Sequence, residues 1–207
     1  MFVGLIIACF VMGVSGDTHI IGGKNATAIY PYQVSLRSTK ERHFCGGAII
    51  DKRFILTAAH CLQTPIHPSN TSVAVGSNNL LNATLYPAEA FFVHKKYNIE
   101  PHLNDIGLIR VSKDIKFNKF VQPINLSNYD RNYENVSLVA TGWGLWNNNE
   151  IPTNLQELTV KGYSQEKCAT FYRENVTQRV VIKETQICTL NRHGQGMCNV
   201  SNYRCLL

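Results

Sequence analysis

A chain of 207 residues with 44% apolar and 16% charged side chains has ordinary globular composition, and it is long enough for one sizeable domain or two small ones sharing an interface. Its formal net charge of +6 comes from twenty Lys and Arg, scattered in runs no longer than pairs such as Lys95-Lys96. A dispersed excess of this kind solvates a surface and argues against a nucleic-acid partner.

The chain opens on an apolar, uncharged stretch, Met1 to Gly16, ending in Val14-Ser15-Gly16, where small residues occupy the positions a signal peptidase reads. Cleavage there makes Asp17 the first residue and leaves no membrane segment. Read instead as an anchor, about fifteen helical residues span only about 22 Å, short of the ~30 Å hydrocarbon core. Removal of this segment takes Cys9 with it and leaves six cysteines, an even number in a chain routed to an oxidising compartment. Disulfides are therefore expected rather than metal thiolates, and no Cys-x-x-Cys pair argues for zinc. No metal and no cofactor is expected. Asn-x-Ser/Thr sequons stand at Asn25, Asn70, Asn82, Asn125, Asn135, Asn175 and Asn199. Chance supplies about two or three at this Asn content, so the excess reads as glycosylation of a secreted, extracellular chain.

Short alternating or apolar runs recur at 33–37, 48–50, 53–57, 72–75, 90–94, 106–111, 137–141, 155–160 and 186–190, separated by Gly, Asn and Pro. This is the spacing of an all-β barrel or sandwich. One stretch reads as a helix: Ser164 can cap it, Cys168, Phe171 and Tyr172 fall on one face at i, i+3, i+4, and Asn175 lies near its end. Between Ser112 and Ser127 strand signals lapse and Pro123 interrupts, as in a crossover between two halves. Residues 146–152, Trp-Asn-Asn-Asn-Glu-Ile-Pro, read as a polar loop.

Two motifs stand out. Thr57-Ala58-Ala59-His60-Cys61 ends the run Phe54-Ile55-Leu56-Thr57, and Asn104-Asp105 precedes the apolar run Ile106 to Val111. A general base has to be held in reach of a nucleophile with its tautomer fixed, and a carboxylate drawn toward an interior needs a partner. In isolation His60 could equally be a satisfied histidine and Asp105 a turn cap. Of the other histidines, His43, His67, His94, His102 and His193 suggest no more than a surface role.

In that order the two motifs resemble the chymotrypsin/trypsin family of serine proteases, whose chain order is His, Asp, Ser. The resemblance runs from Ile20 to about Cys198. Ile20-Ile21-Gly22-Gly23 is similar to the family's mature N-terminus, Pro31-Tyr32-Gln33-Val34-Ser35-Leu36 to its first strand, and Phe44-Cys45-Gly46-Gly47 to the strand before the histidine. Thr141-Gly142-Trp143-Gly144, Leu155-Gln156 and Ile187-Cys188 continue it. The resemblance implies two antiparallel β-barrels with the active site between them. It divides the chain into a signal peptide (1–16), a short propeptide (17–19), a first barrel (20–118), an incomplete second barrel (119–198) and a divergent tail (199–207). It also implies a base at His60 oriented by Asp105, and disulfides Cys45–Cys61 and Cys168–Cys188. The first of these closes a loop of about fifteen residues and contributes roughly 3 kcal/mol in a chain-entropy account. Gly196 would form the neutral floor of a specificity pocket that takes large apolar or aromatic side chains. Protein or peptide substrates, and protease inhibitors, are the implied partners of a monomer.

Agreement stops after Cys198. The family pattern Cys-x-Gly-Asp-Ser-Gly-Gly-Pro meets Asn199, Val200, Ser201, Asn202, Tyr203 and Arg204. Asn202 occupies the place of the nucleophilic serine, and an amide does not attack a carbonyl. Ser201 stands where an aspartate would bind the freed amine of Ile20, one residue early for a nucleophile and without the glycines of an oxyanion hole. His19 replaces the Arg or Lys an activating trypsin-like enzyme would read. Roughly forty to fifty residues of the usual domain are also missing, so the second half is expected to carry an open sheet edge, with Cys198 able to pair only with Cys205. Loss of the nucleophile alone costs about a millionfold in kcat in a related triad, so the chain as given is expected to be inactive. Val200-Ser201 can be encoded by GTAAGT or GTGAGT, a strong splice donor, which predicts that residues 200–207 are translated intron. Three readings follow: a chymotrypsin-like endopeptidase whose chain is truncated, a secreted non-catalytic homologue that binds without cleaving, and a glycosylated β domain unrelated to proteolysis. The retained His60 and Asp105 weigh against the last.

Overall fold

The computed structural model describes residues 19–99, 103–127, 132–144, 151–175, 182–190 and 196–198, with the backbone alone for 19–21, 175 and 196–198. The described strands are β1 (His19–Ile21), β2 (Lys24–Asn25), β3 (Gln33–Ser38), β4 (His43–Ile49), β5 (Phe54–Thr57), β6 (Thr71–Val75), β7 (Thr84–Val93), β8 (Gly107–Val111), β9 (Ser137–Gly142), β10 (Gln156–Gly162), β11 (Thr189–Leu190) and β12 (Gly196–Cys198), with one α-helix, α1 (Gln165–Asn175), between β10 and β11.

In the first half the order β3-β4-β5-β8-β7-β6 closes into an antiparallel barrel. Alternation in β8 and β5 turns every second side chain inward. The core is built on Val34, Leu36, Ile49, Ile55, Val73, Ile109 and Val111, all fully buried and mostly β-branched, as a pleated surface favours. At Gly47 the strands approach so closely that a Cβ would meet the Leu56 carbonyl oxygen at 2.7 Å. The crossover after β8 is stapled to this barrel: Ile115 N–H donates to Lys52 O and Ile124 N–H to Ile49 O, while Ile115 and Val121 enter its core.

The second half does not close. β9 and β10 pair along their length, and the far edge of β10 carries β2 at one end and β11 at the other. Its core is Leu138, Ala140, Leu158 and Val160. A separate cluster, Cys168, Tyr172 and Cys188, packs with Tyr163 and Ile182 around the Cys168–Cys188 disulfide. Ser164 Oγ accepts from Lys167 N–H at 3.4 Å and caps α1. Cys168 and Tyr172 form its buried face, whereas Phe171, expected beside them, is 39% exposed with its ring against Tyr172. β1 and β12 form a two-stranded ribbon that aligns Ile20 with Met197 and Ile21 with Gly196.

Polar contacts join the halves. Trp143 donates from Nε1 to Asn78 O at 3.1 Å, and Thr141 Oγ1 donates to Gln33 Oε1 at 2.7 Å. Glu157 on β10 gathers the segment after β1: Tyr30 OH and Thr27 Oγ1 donate to it at 2.7 and 3.1 Å, and Lys24 Nζ lies at 3.4 Å. Burial pushes the Glu157 carboxyl up, but the hydrogen bonds from Tyr30, Thr27 and Lys24 outweigh it, so the group lies below its ordinary value. No helix among the described residues is long and apolar enough to cross a membrane.

Candidate active site

β5 and β8 are neighbours, with Thr57 opposite Gly107. The loop leaving β5 and the loop entering β8 therefore meet at one end of the barrel, which brings together His60 and Asp105 from 45 residues apart in sequence. Thr57 is buried and donates from Oγ1 to Gly46 O at 2.8 Å, fixing the exit of β5. Ala58 and Ala59 are buried, and His60–Leu62 makes one 3-10 turn anchored by Leu62 in the core and by the Cys45–Cys61 disulfide. Gly107 makes room for that turn, since a Cβ there would stand 2.7 Å from Leu62 Cδ1 and 3.2 Å from Phe92 O.

The turn has no side-chain cap from its own N-terminal residue. Asp105 takes that part: Oδ1 accepts from the His60 backbone N–H at 2.8 Å, and Oδ2 lies 2.7 Å from His60 Nδ1. One carboxylate thus fixes both the backbone and the ring of the same residue. The Asp105 side chain is 2% exposed and that of His60 33%, so the charge is buried and the ring is open on one side. A carboxylate accepts only, so Nδ1 carries a proton, and in the neutral ring Nε2 then keeps its lone pair. Cys61 Sγ lies 3.4 Å from Nε2, but a disulfide sulfur has no proton to donate, so the lone pair stays free to take one. Cys45, His60 and Cys61 bring ligand atoms within 4.8 Å of one another, yet the disulfide leaves this trio without a thiolate.

Asp105 is aimed by its flanks. Asn104 adopts a left-handed φ of 56°, which Asn tolerates, and its Nδ2 donates to Lys96 O at 2.8 Å. His94 N–H donates to Ile106 O, and Asn98 and Leu103 exchange backbone hydrogen bonds. Tyr97, held in this clasp, has a buried hydroxyl with no hydrogen-bond partner among the described residues. Burial, and then the negative charge of Asp105, push its phenol up.

His43, expected at the surface, is instead half-buried where the halves meet. Arg37 Nε donates to Ser35 Oγ at 3.4 Å, Ser35 Oγ lies 2.8 Å from His43 Nδ1, and the ring stands edge-on to Trp143 at 5.7 Å. Burial, and then the Arg37 charge, push the His43 pKa down to about 4. Its burial follows from the β3–β4 register and from Trp143, which no local motif announces, and no local motif announces the burial of the Tyr97 hydroxyl in its loop either. The rings of His67 and His94 accept from nearby backbone, from Ser69 N–H and Lys96 N–H.

Both expected disulfides among the described residues are present, Cys45–Cys61 and Cys168–Cys188. Asn25, Asn70, Asn82, Asn125 and Asn135 are exposed, Asn175 ends α1, and Ile20 and Gly196 lie on the β1–β12 ribbon. Residues 145–150, Asn199, Ser201, Asn202 and Cys205 lie outside the described residues, and so does any Cys198–Cys205 bond.

The family profile described as Trypsin matches residues 20–200. Chymotrypsin-2 of the hornet Vespa crabro is 42% identical over 185 residues, 87% of this chain and 79% of that protein. The chain spans 54–66% of the length of four further curated relatives, 33–36% identical to it. Among solved structures, neuropsin, a serine protease of mouse brain, superposes with a TM-score of 0.72 at 28% identity, covering 86% of this chain and 78% of that one. The scabies mite inactivated protease paralogue S-D1 superposes with a TM-score of 0.74, covering 84% and 75%. At 23% identity that likeness speaks for the fold alone.

Proposed function

Since the chain belongs to the trypsin family of chymotrypsin-like serine proteases, we propose that it carries the base half of a secreted endopeptidase's triad, with His60 as general base and Asp105 as its orienter, and that the 207-residue chain does not itself cleave peptide bonds. The observation that carries the reading is the single buried carboxylate bound to both the backbone N–H and Nδ1 of His60. With Nδ1 protonated, the Nε2 lone pair is set to draw a proton from a hydroxyl nucleophile and return it to the leaving amine. Asp105 stabilises the imidazolium formed on the way.

The nucleophile is the part that fails. Asn202 stands at its place in the family pattern, Ser201 lacks glycine flanks, and the match to the family profile runs only to residue 200. In the complete enzyme Ile20 would be the mature N-terminus. Gly196 would floor a pocket for aromatic or large apolar side chains, and proteins or peptides would be the substrates. The sequons are the sites of glycosylation on a chain exported by its first sixteen residues, and residues 20–118 and 119–198 supply most of the first and second halves flanking the cleft, with β2 crossing to the second and Val121 to the first.

The test is turnover of a chromogenic ester with an aromatic residue at the cleavage point. The chain is expected to show no hydrolysis above that of its His60→Ala variant. Turnover that disappears on treatment with a serine-directed phosphonate contradicts the proposal. Tight, uncleaved binding of a peptide inhibitor, with no turnover, would assign the chain to the non-catalytic reading instead.

A further inference from the structure

Three observations converge on Tyr97. Its hydroxyl is buried and unpartnered among the described residues, an unusual condition for a donor that folding has removed from water. The backbone on both sides of it is tied to the loop that carries Asp105: Lys96 O accepts from Asn104 Nδ2, Asn98 bridges Leu103, and His94 N–H donates to Ile106 O. Asp105, for its part, accepts two N–H groups from His60, while a carboxylate has about four lone-pair sites. A buried donor with no acceptor among the described residues therefore shares a clasp with a buried acceptor that has capacity to spare.

We infer that Tyr97 is a positioning residue for the His60–Asp105 pair, its hydroxyl turning its proton toward the Asp105 carboxylate and tempering the pull of that carboxylate on the His60 Nδ1 proton. The inference rests on the reading of His60 as the base. Tyr97 touches no substrate in this account and acts only through Asp105. In a site of low dielectric the dipole of one hydroxyl shifts the charge distribution of a neighbouring carboxylate more than it would in water. The raised phenol, with Asp105 as its one resolved charged neighbour, agrees with the two groups sensing each other.

The experiment uses the full chain labelled with [ζ-13C]tyrosine and two variants, Tyr97→Phe and Asp105→Asn. Tyr97→Phe identifies the Tyr97 signal by its disappearance and keeps the ring, so packing survives. In Asp105→Asn the Tyr97 phenol is expected to titrate lower than in the unaltered chain, because the negative charge that helps raise it is gone. In Tyr97→Phe the low-field His60 Nδ1 proton resonance is expected to move further downfield, because the whole carboxylate charge then falls on it. A tyrosine that merely lies near Asp105 leaves the His60 signal in place, so a static His60 resonance overturns the inference, as does a Tyr97 phenol that titrates alike with and without the Asp105 charge. If the unaltered chain shows no low-field resonance, the His60–Asp105 pairing fails instead, and the Tyr97 titration still reports separately on whether Tyr97 senses Asp105.

Discussion

The two halves solve the same problem by different means. In the first, six strands close on themselves, so each has two neighbours and none offers an edge. In the second, β10 has neighbours on both sides, whereas β9 pairs only with β10 among the described residues and leaves Val139 41% exposed. The first core is continuous from Val34 to Val121. The second is split between four residues of the sheet and a cluster around Cys168–Cys188. Closure makes a barrel self-sufficient, while an open sheet has to lean on a crosslink, on its neighbour and on polar clasps such as Glu157. The His60–Asp105 pair belongs to the self-sufficient half, since both residues hang from paired barrel strands. Its geometry can therefore be complete although the second sheet does not close.

The largest effect should separate the halves. Ile109→Ala removes a fully buried barrel side chain and is expected to cost about 4 kcal/mol. Leu158→Ala, in the smaller core at 7% exposure, should cost about 2 kcal/mol. Denaturant unfolding of both variants checks this, and equal costs would show that the two cores depend alike on a single side chain.

Next in size is the crosslink. Replacing Cys168 and Cys188 together by Ala opens a loop with a sequence separation of 20, worth about 3 kcal/mol in a chain-entropy account. Amide exchange should accelerate in β9, β10 and α1, with β3 to β8 unaffected. Uniform acceleration would mean that the halves unfold as one.

The smallest is a pH effect at their junction. His43 has a folded pKa of about 4 against about 6.5 in an unfolded chain, so the unfolded state takes up the proton first as pH falls. The stabilisation is fully present above about pH 6.5 and is lost as pH drops toward 4. It should amount to about 2 kcal/mol once partial exposure is discounted. His43→Gln should flatten that part of the stability profile. A profile of the same slope in both chains would show that His43 is not held neutral.

Much of this was legible in the residues. The first half announced itself because β-branched runs broken by Gly, Asn and Pro match a half-buried barrel, and β3, β5, β6 and β8 fall within a residue or so of the runs that predict them. β7 runs from Thr84 to Val93 although only its end reads as a strand. Pro87 and Glu89 interrupt the pattern, and a register shift between Ala88 and Ala90 absorbs the irregularity. β11 is shorter than the run 186–190 suggests, because Gln186 N–H closes a turn onto Lys183 O. His60 and Asp105 were legible through their flanks. Phe171, His43 and Tyr97 were not, since whether each is buried depends on which distant strand or loop lies over it, and that is a property of register rather than of neighbouring sequence.

On the proposed reading this chain holds a prepared base without a nucleophile. Intact-mass spectrometry of the folded chain after exposure to an aromatic phosphonate directed at activated serines tests it most directly. The account predicts an unchanged mass. A single stoichiometric adduct, absent in His60→Ala, would contradict it, since it would show that a serine of this chain is activated by His60 after all.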